Sequence, residues 1–290
     1  MSLHPAFGKK VALLPDQGRL IVATDLQGNL RDYRRLLEIF EQATAAGPAT
    51  LVLTGDLVHG PSEDLAEEGA WPEHLGTPYR DQSAELILDF MEYAERAPAI
   101  ALLGNHEHAH IGGPRVSKFH LDEAAVLDAA LGDELPKVKA FLARFPLVAT
   151  SRAGVVLTHG APIATELDLD AFERLSYGGF EEASIQGMYA RGTVGGLLWA
   201  RGASEHQAEA LLSAVGLGGP GAFVGFGHDV VREGYEITGR RQICFSTSYG
   251  LFDQDKVYLD LDLSRRYESA LDLRPDLEIR KLWPSQGSQG

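Results

Sequence analysis

Short, continuous apolar runs alternate along this chain with longer segments whose apolar positions return with helical period, the pattern of an α/β layered fold. The runs predict strands over 20–24, 50–54, 99–103, 154–158, 222–226, 242–246 and 256–261. The periodic segments predict helices over 31–45, 83–97, 135–145 and 205–215, the first with Tyr33, Leu36, Leu37 and Phe40 on its apolar face. Because the later runs follow one another with only turns between them, the second half is expected to form a more antiparallel layer. No internal repeat or linker interrupts the pattern, so residues 1–283 are read as one domain and 284–290, PSQGSQG, as a disordered tail.

Polar residues gather where the apolar runs end. IVATD closes on Asp25, LVLTGD on Asp56, IALLGN on Asn105, GVVLTH on His159 and FVGFGH on His228. Open α/β sheets bind ligands beyond the carboxyl ends of their strands, so these five endings can converge on one site. Two carboxylates, one carboxamide and two imidazoles are the inventory of a two-metal hydrolase, and phosphate esters gain most from such a clamp.

Composition narrows the partners. A formal net charge of −15 argues against nucleic acid, which is held through Lys and Arg. Small phosphorylated substrates remain compatible, because bound divalent cations reverse the sign locally. Cys244 is the only cysteine, so no intrachain disulfide forms and a reducing cytoplasm is the expected setting. The N-terminal residues lack an apolar signal region, and no apolar run is long enough to span a bilayer.

DLQGN, GDLVHG, GNHE, THG and GHDVVREGYE, in that order, resemble the signature blocks of the calcineurin-like metallophosphoesterases. They are most similar to the phosphoprotein phosphatase branch, with its GDxHG, GDxxDRG, GNHE, HGG and GHxxxxxGYE. LLW before Arg201 and FSTSYG before the last strand extend the likeness over roughly residues 19–262. The resemblance implies a two-layer mixed β-sheet sandwich flanked by helices, with two divalent ions at the strand ends. It makes Asp56 the bridging ligand, places Asn105, His159 and His228 around the second ion, and places Asp25 at the first. His106 corresponds to the general acid that protonates the leaving alkoxide. Arg201, with Arg80 as its competitor, is the expected phosphate grip, and Tyr249 a residue lining the site.

The chain also departs from that pattern. Gln27 replaces the histidine of GDxHG, His59-Gly60 stands in place of Asp-Arg, and HGG reads HGA at Ala161. The first site therefore offers Asp25, Asp56 and either the Gln27 amide oxygen or a water that Gln27 holds. Oxygen ligands favour Mn²⁺ or Mg²⁺, while imidazole favours Zn²⁺ or Fe, so a weak, manganese-preferring first site is expected beside a tighter second one. His59 is a candidate substitute proton shuttle or phosphate contact.

Alternative readings exist for several of these residues. Asp25 and Gln27 could cap the following helix. HEHAH, residues 106–110, satisfies the zinc-protease pattern, but that needs a helix, and the glycines and Pro114 around it stop one. His108 and His110 are instead expected to line the mouth of the site, and the insert 60–81, with Trp71 and Tyr79, to shape access to it. The function expected is a metal-dependent phosphomonoesterase, a serine/threonine phosphoprotein phosphatase using metal-bound hydroxide. The alternatives are a nucleotide or dinucleoside polyphosphate hydrolase and a catalytically lapsed phosphate-binding module. Oligomeric state is left open.

Overall fold

A computed structural model describes residues 3–67, 69–219 and 221–284; the tail expected from residue 284 lies, beyond Pro284, outside the described residues. Strands β1 (Val11–Leu13), β2 (Arg19–Ala23), β3 (Ala49–Leu53), β4 (Ala99–Ala101), β5 (Val148–Ser151) and β6 (Val155–Leu157) come first. They are followed by β7 (Phe223–Phe226), β8 (Tyr235–Thr238), β9 (Gln242–Phe245), β10 (Val257–Asp262) and β11 (Ile279–Lys281). One sheet has the order β11-β10-β2-β3-β4 and the other β1-β5-β6-β7-β9-β8, so the described residues form the expected sandwich of two mixed sheets.

The helices are α1 (Leu30–Ala46), α2 (Ser83–Arg96), α3 (Asn105–His108), α4 (Glu123–Leu131) and α5 (Leu135–Leu142). The later ones are α6 (Leu169–Glu173), α7 (Ile185–Met188), α8 (Gly192–Trp199) and α9 (Glu205–Ala214). Helix α1 begins where Asn29 accepts the amide of Asp32 at 3.2 Å, so Asn29 is the cap and neither Asp25 nor Gln27 is used for that purpose.

Strand period decides which layer each side chain enters. In β2, Leu20 and Val22 face the other sheet while Ile21 and Ala23 face the helices; in β3, Val52 faces inward and Leu51 and Leu53 outward. The inter-sheet layer is completed by Ile100, Ala149, Val155, Leu157, Phe223, Ile243 and Phe245. Helices α1, α2 and α5 cover the outer face through Tyr33, Leu36, Phe40, Leu86, Phe90 and Phe141, all buried.

As expected, the antiparallel pairings all involve strands of the second half, β5–β6, β8–β9, β10–β2 and β10–β11, but those strands do not form an antiparallel layer of their own. β6, β7 and β9 run parallel to one another, and β1 runs parallel to β5; only β5–β6 and β8–β9 are antiparallel in that sheet. Between β6 and β7 the chain passes through α6 to α9, a crossover that keeps the strands parallel. The short spacing after β7 misleads because β8 turns back onto the sheet edge, and β10 leaves to pair antiparallel with β2 in the other sheet. The result places the carboxyl ends of β2, β3, β4, β6 and β7 together at one end of the sandwich.

Candidate metal centre

The loops that leave these strand ends are strained. Asp25, Gln27, Asp56, His59 and His228 have φ of 50°, 40°, 54°, 69° and 64°, and among the described non-glycine residues only Asp276 joins them at positive φ. Such conformations cost of order 1–3 kcal/mol each and persist where the surroundings enforce them. At Asp56 the surroundings include Glu107. Its buried carboxylate accepts the amides of Asp56 (2.8 Å), Leu57 (2.7 Å) and Gly104 (3.0 Å), locking the β3 and β4 loops together. Burial and the neighbouring Asp56 push the Glu107 carboxyl up to about 7. Gly55, at φ 101°, and Gly104 pack so closely that a Cβ on Gly55 would lie 2.7 Å from the Gly104 backbone.

On one side of Asp56 four acceptor atoms meet. His159 Nε2 lies 3.0 Å from Asn105 Oδ1, 3.1 Å from His228 Nδ1 and 3.4 Å from Asp56 Oδ1. The other nitrogen of each imidazole is committed as a donor, His159 Nδ1 to Thr54 O at 3.0 Å and His228 Nε2 to Trp199 O at 3.1 Å. Those bonds fix both tautomers with lone pairs turned inward. Burial lowers the affinity of both rings for a second proton. Two neutral imidazoles, a carboxamide oxygen and the Asp56 carboxyl, which burial and the charge of Asp25 hold well above its ordinary pKa, therefore face one point. That donor set fits a divalent cation.

The other side is different in kind. Asp25 Oδ2 accepts the amide of His228 at 3.0 Å and the hydroxyl of Thr24, and the Gln27 amide donates to Asp56 O at 2.9 Å. The Gln27 carboxamide oxygen faces Lys118 Nζ at 3.5 Å. That ammonium sits 3.7 Å above the ring of Tyr249, a contact of cation–π type. Burial lowers the Lys118 pKa, opposed by the charges of Asp56, Asp25 and Glu123. A lysine reaching into the acidic end of the site was not anticipated from sequence, because Lys118 lies in an unpatterned loop between α3 and α4.

A sequence model of the calcineurin-like phosphoesterases matches residues 18–232. The chain belongs to the calcineurin-like phosphoesterase family. Its fold is similar to that of a protein serine/threonine phosphatase from Saccharomyces cerevisiae with similarity to human phosphatase PP5. The two share 13% identity over 94% of this chain and 87% of that one, with a TM-score of 0.55. It is likewise similar to a cold-active protein-tyrosine phosphatase of a psychrophilic Shewanella species, at 16% identity over 92% and 83% of the two chains and a TM-score of 0.55. No curated protein matches the sequence. The family uses a dinuclear divalent metal centre, and the acceptor cluster around Asp56 is where this phosphoesterase could hold metal.

The remaining expected residues are placed as follows. His106 turns its Nε2 toward the acceptor cluster, 3.7 Å from Asp56 Oδ2, while its backbone amide donates to Asp56 Oδ1 at 3.1 Å. Arg201 lies at the rim, donating to His228 O at 3.1 Å and Asp229 Oδ1 at 2.7 Å. Tyr249 is buried beneath Lys118, and Arg80 is exposed. In the insert, Tyr79 donates its hydroxyl to Gln27 O at 3.0 Å and meets Trp71 edge to face.

Three histidines stand elsewhere than expected. His59 is 3% exposed and lies behind His106, Nδ1 to Nδ1 at 2.9 Å, so it does not touch the open side of the site where substrate would bind. His108 and His110 are buried, His108 against Tyr177 O at 2.7 Å and His110 between His59 and Asp128, so neither lines the mouth. The physical reason is α3, whose single turn, Asn105–His108 capped at Ala109, directs side chains into the protein. Sequence reading also missed Glu123 at the start of α4, whose Oε2 is 3.5 Å from His106 Nδ1. It supplies a carboxylate behind His106 where the family's Asp is absent.

Proposed function

We propose that this phosphoesterase is a metal-dependent phosphomonoesterase that acts on phosphoserine and phosphothreonine in proteins, with two divalent ions, Mn²⁺ favoured at the oxygen-rich side. The observation that carries the substrate class is His106, a buried imidazole directed at the acceptor cluster and backed by Glu123. Alkyl phosphates have strongly basic leaving groups and need a proton delivered to the departing oxygen, a task worth about 10²–10⁴-fold. Aryl phosphates and polyphosphates leave more easily and gain less.

Divalent ions bound at the centre would supply Lewis-acid charge for the phosphoryl oxygens and activate the attacking water. The chain's own residues supply the rest. Asp56, Asn105, His159 and His228 would hold the second ion, and Asp25 with Asp56 the first. His106 would present a proton at Nε2 to the leaving oxygen. Lys118 and Arg201 offer positive charge to the phosphate, Lys118 taking the part of the arginine missing at Gly60. The Gln27 amide oxygen, which faces Lys118, would be within reach of the first ion or of a water on it. Tyr249 supports the Lys118 ammonium from below. Cys244, buried and without a disulfide partner, fits a reducing cytoplasm.

The test is a comparison of kcat/KM for phosphoserine, phosphothreonine and phosphotyrosine peptides of one sequence and for diadenosine tetraphosphate, with Mn²⁺-loaded protein. The serine and threonine peptides are expected to lead. A higher value for phosphotyrosine or the dinucleotide contradicts the proposed substrate class.

A further inference from the structure

A second group of ligand atoms lies behind the catalytic centre, on the far face of His106. His59 Nδ1 and His106 Nδ1 are 2.9 Å apart, and Glu123 Oε2 is 3.7 Å and 3.5 Å from them. All three side chains are buried, 1%, 5% and 1% exposed. They come from three segments, the loop after β3, helix α3 and the first turn of α4. Glu123 Oε1 is fully used, accepting the amides of Lys118 at 2.9 Å and Phe119 at 2.7 Å. Those bonds aim Oε2 at the two imidazoles, yet among the described residues Oε2 has no hydrogen-bond partner. A buried carboxylate oxygen left so is costly unless something positive sits beside it.

The proton count sharpens this. Burial pushes the Asp128 carboxyl up, but hydrogen bonds from Lys139 and His110 outweigh it and hold the group below its ordinary range, so it stays ionised. His110 therefore donates its Nδ1 hydrogen to Asp128 Oδ1 at 2.8 Å and turns a lone pair at Nε2 toward His59. His59 must answer with its Nε2 hydrogen at 2.8 Å, which leaves its Nδ1 bare. Burial, and the charges of His110 and His120, hold His59 well below its ordinary pKa and so keep that nitrogen free. Three ligand atoms thus converge, and the bare His59 Nδ1 offers the other two no hydrogen. In a tetrahedral zinc site with bonds of about 2.0–2.1 Å, ligand atoms stand about 3.3 Å from one another, inside the range of the three separations here.

We propose that His59 Nδ1, His106 Nδ1 and Glu123 Oε2 form a third metal site, separate from the dinuclear centre and of zinc-preferring chemistry. Two imidazoles and one carboxylate are borderline-soft donors that suit Zn²⁺ over Mg²⁺ or Mn²⁺. Binding there takes the Nδ1 lone pair of His106 and moves that ring's one hydrogen from Nδ1 to Nε2. That is the tautomer which can deliver a proton toward the acceptor cluster. The ion would thereby take over the orienting work done in relatives by the carboxylate of the missing Asp-Arg pair. The site itself rests only on these three residues and not on the catalytic reading.

The test is zinc content by mass spectrometry after equilibration with Zn²⁺ and removal of loosely bound metal, in a background that lacks the dinuclear ligands. In Asp56→Asn/His159→Ala, one equivalent of zinc is expected to remain, and Glu123→Gln or His59→Gln added to that background is expected to remove it. Glu123→Gln keeps Oε1 for the two amides, and circular dichroism confirms folding. Cobalt substitution of the same background is expected to give the visible absorption of a low-coordinate site. No retained zinc in a folded background variant, or zinc unchanged by both additional substitutions, overturns the assignment. Loss of phosphatase activity alone has no bearing on it.

Discussion

The two sides of Asp56 are built on opposite plans. On one, His159 and His228 have their outer N–H groups tied to backbone carbonyls and, with Asn105, turn bare acceptors inward. On the other, Gln27 stands where the family has a histidine, and an ammonium from Lys118 lies beside Gln27 and within electrostatic reach of Asp25 and Asp56. The first side is a donor set for a cation from solution. The second carries part of its positive charge in its own sequence. A metal site can thus shed ligands without leaving bare negative charge, provided a nearby loop delivers a lysine.

Breaking the first side is expected to have the largest effect. His159→Ala removes an inward lone pair at the tighter site, and phosphatase activity should fall by about 10³-fold or more, since such an ion contributes several kcal/mol to the transition state. The check is kcat/KM together with metal content, and both should drop. His106→Ala comes next. With a phosphoserine peptide it should lose about 10²–10⁴-fold in kcat, whereas p-nitrophenyl phosphate, whose leaving group needs no proton, should lose far less. Equal losses on both substrates would mean that His106 positions rather than donates.

Lys118→Met sharpens the second side with a smaller, two-signed effect. Removing an ammonium beside two carboxylates should tighten the weaker Mn²⁺ step by about tenfold, equivalent to about 1.4 kcal/mol, while KM for phosphopeptide rises. Metal titration and steady-state kinetics on the same preparation separate the two. The smallest effect lies outside the site. Burial pushes the Cys244 thiol far above its ordinary pKa, so the native protein should resist iodoacetamide at pH 8 and react only after denaturation, as intact mass would show.

The acceptor side was legible in the sequence and the lysine side was not. Asp25, Asp56, Asn105, His159 and His228 each close an apolar run, so strand period and the loop after it place them without knowledge of the rest. Gln27 and His59 were visible as departures, but their partners were not. Lys118 and Glu123 sit in a loop and a helix start with no motif, and they reach the site through the path of residues 109–122 alone. His59 looked like a surface loop residue because burial by α4 is a tertiary effect. The expected antiparallel layer does not form for a similar reason, because short spacing after β7 says nothing about which sheet β10 will join.

The most direct measurement is a Mn²⁺ titration of metal-stripped protein followed by hydrolysis of p-nitrophenyl phosphate. The asymmetry around Asp56 predicts turnover that requires a second, weaker equivalent of Mn²⁺ after a tighter one is filled. No turnover at saturating Mn²⁺ would contradict it, and would mean that Gln27 and Lys118 have closed the first site and left a module that binds phosphate without cleaving it.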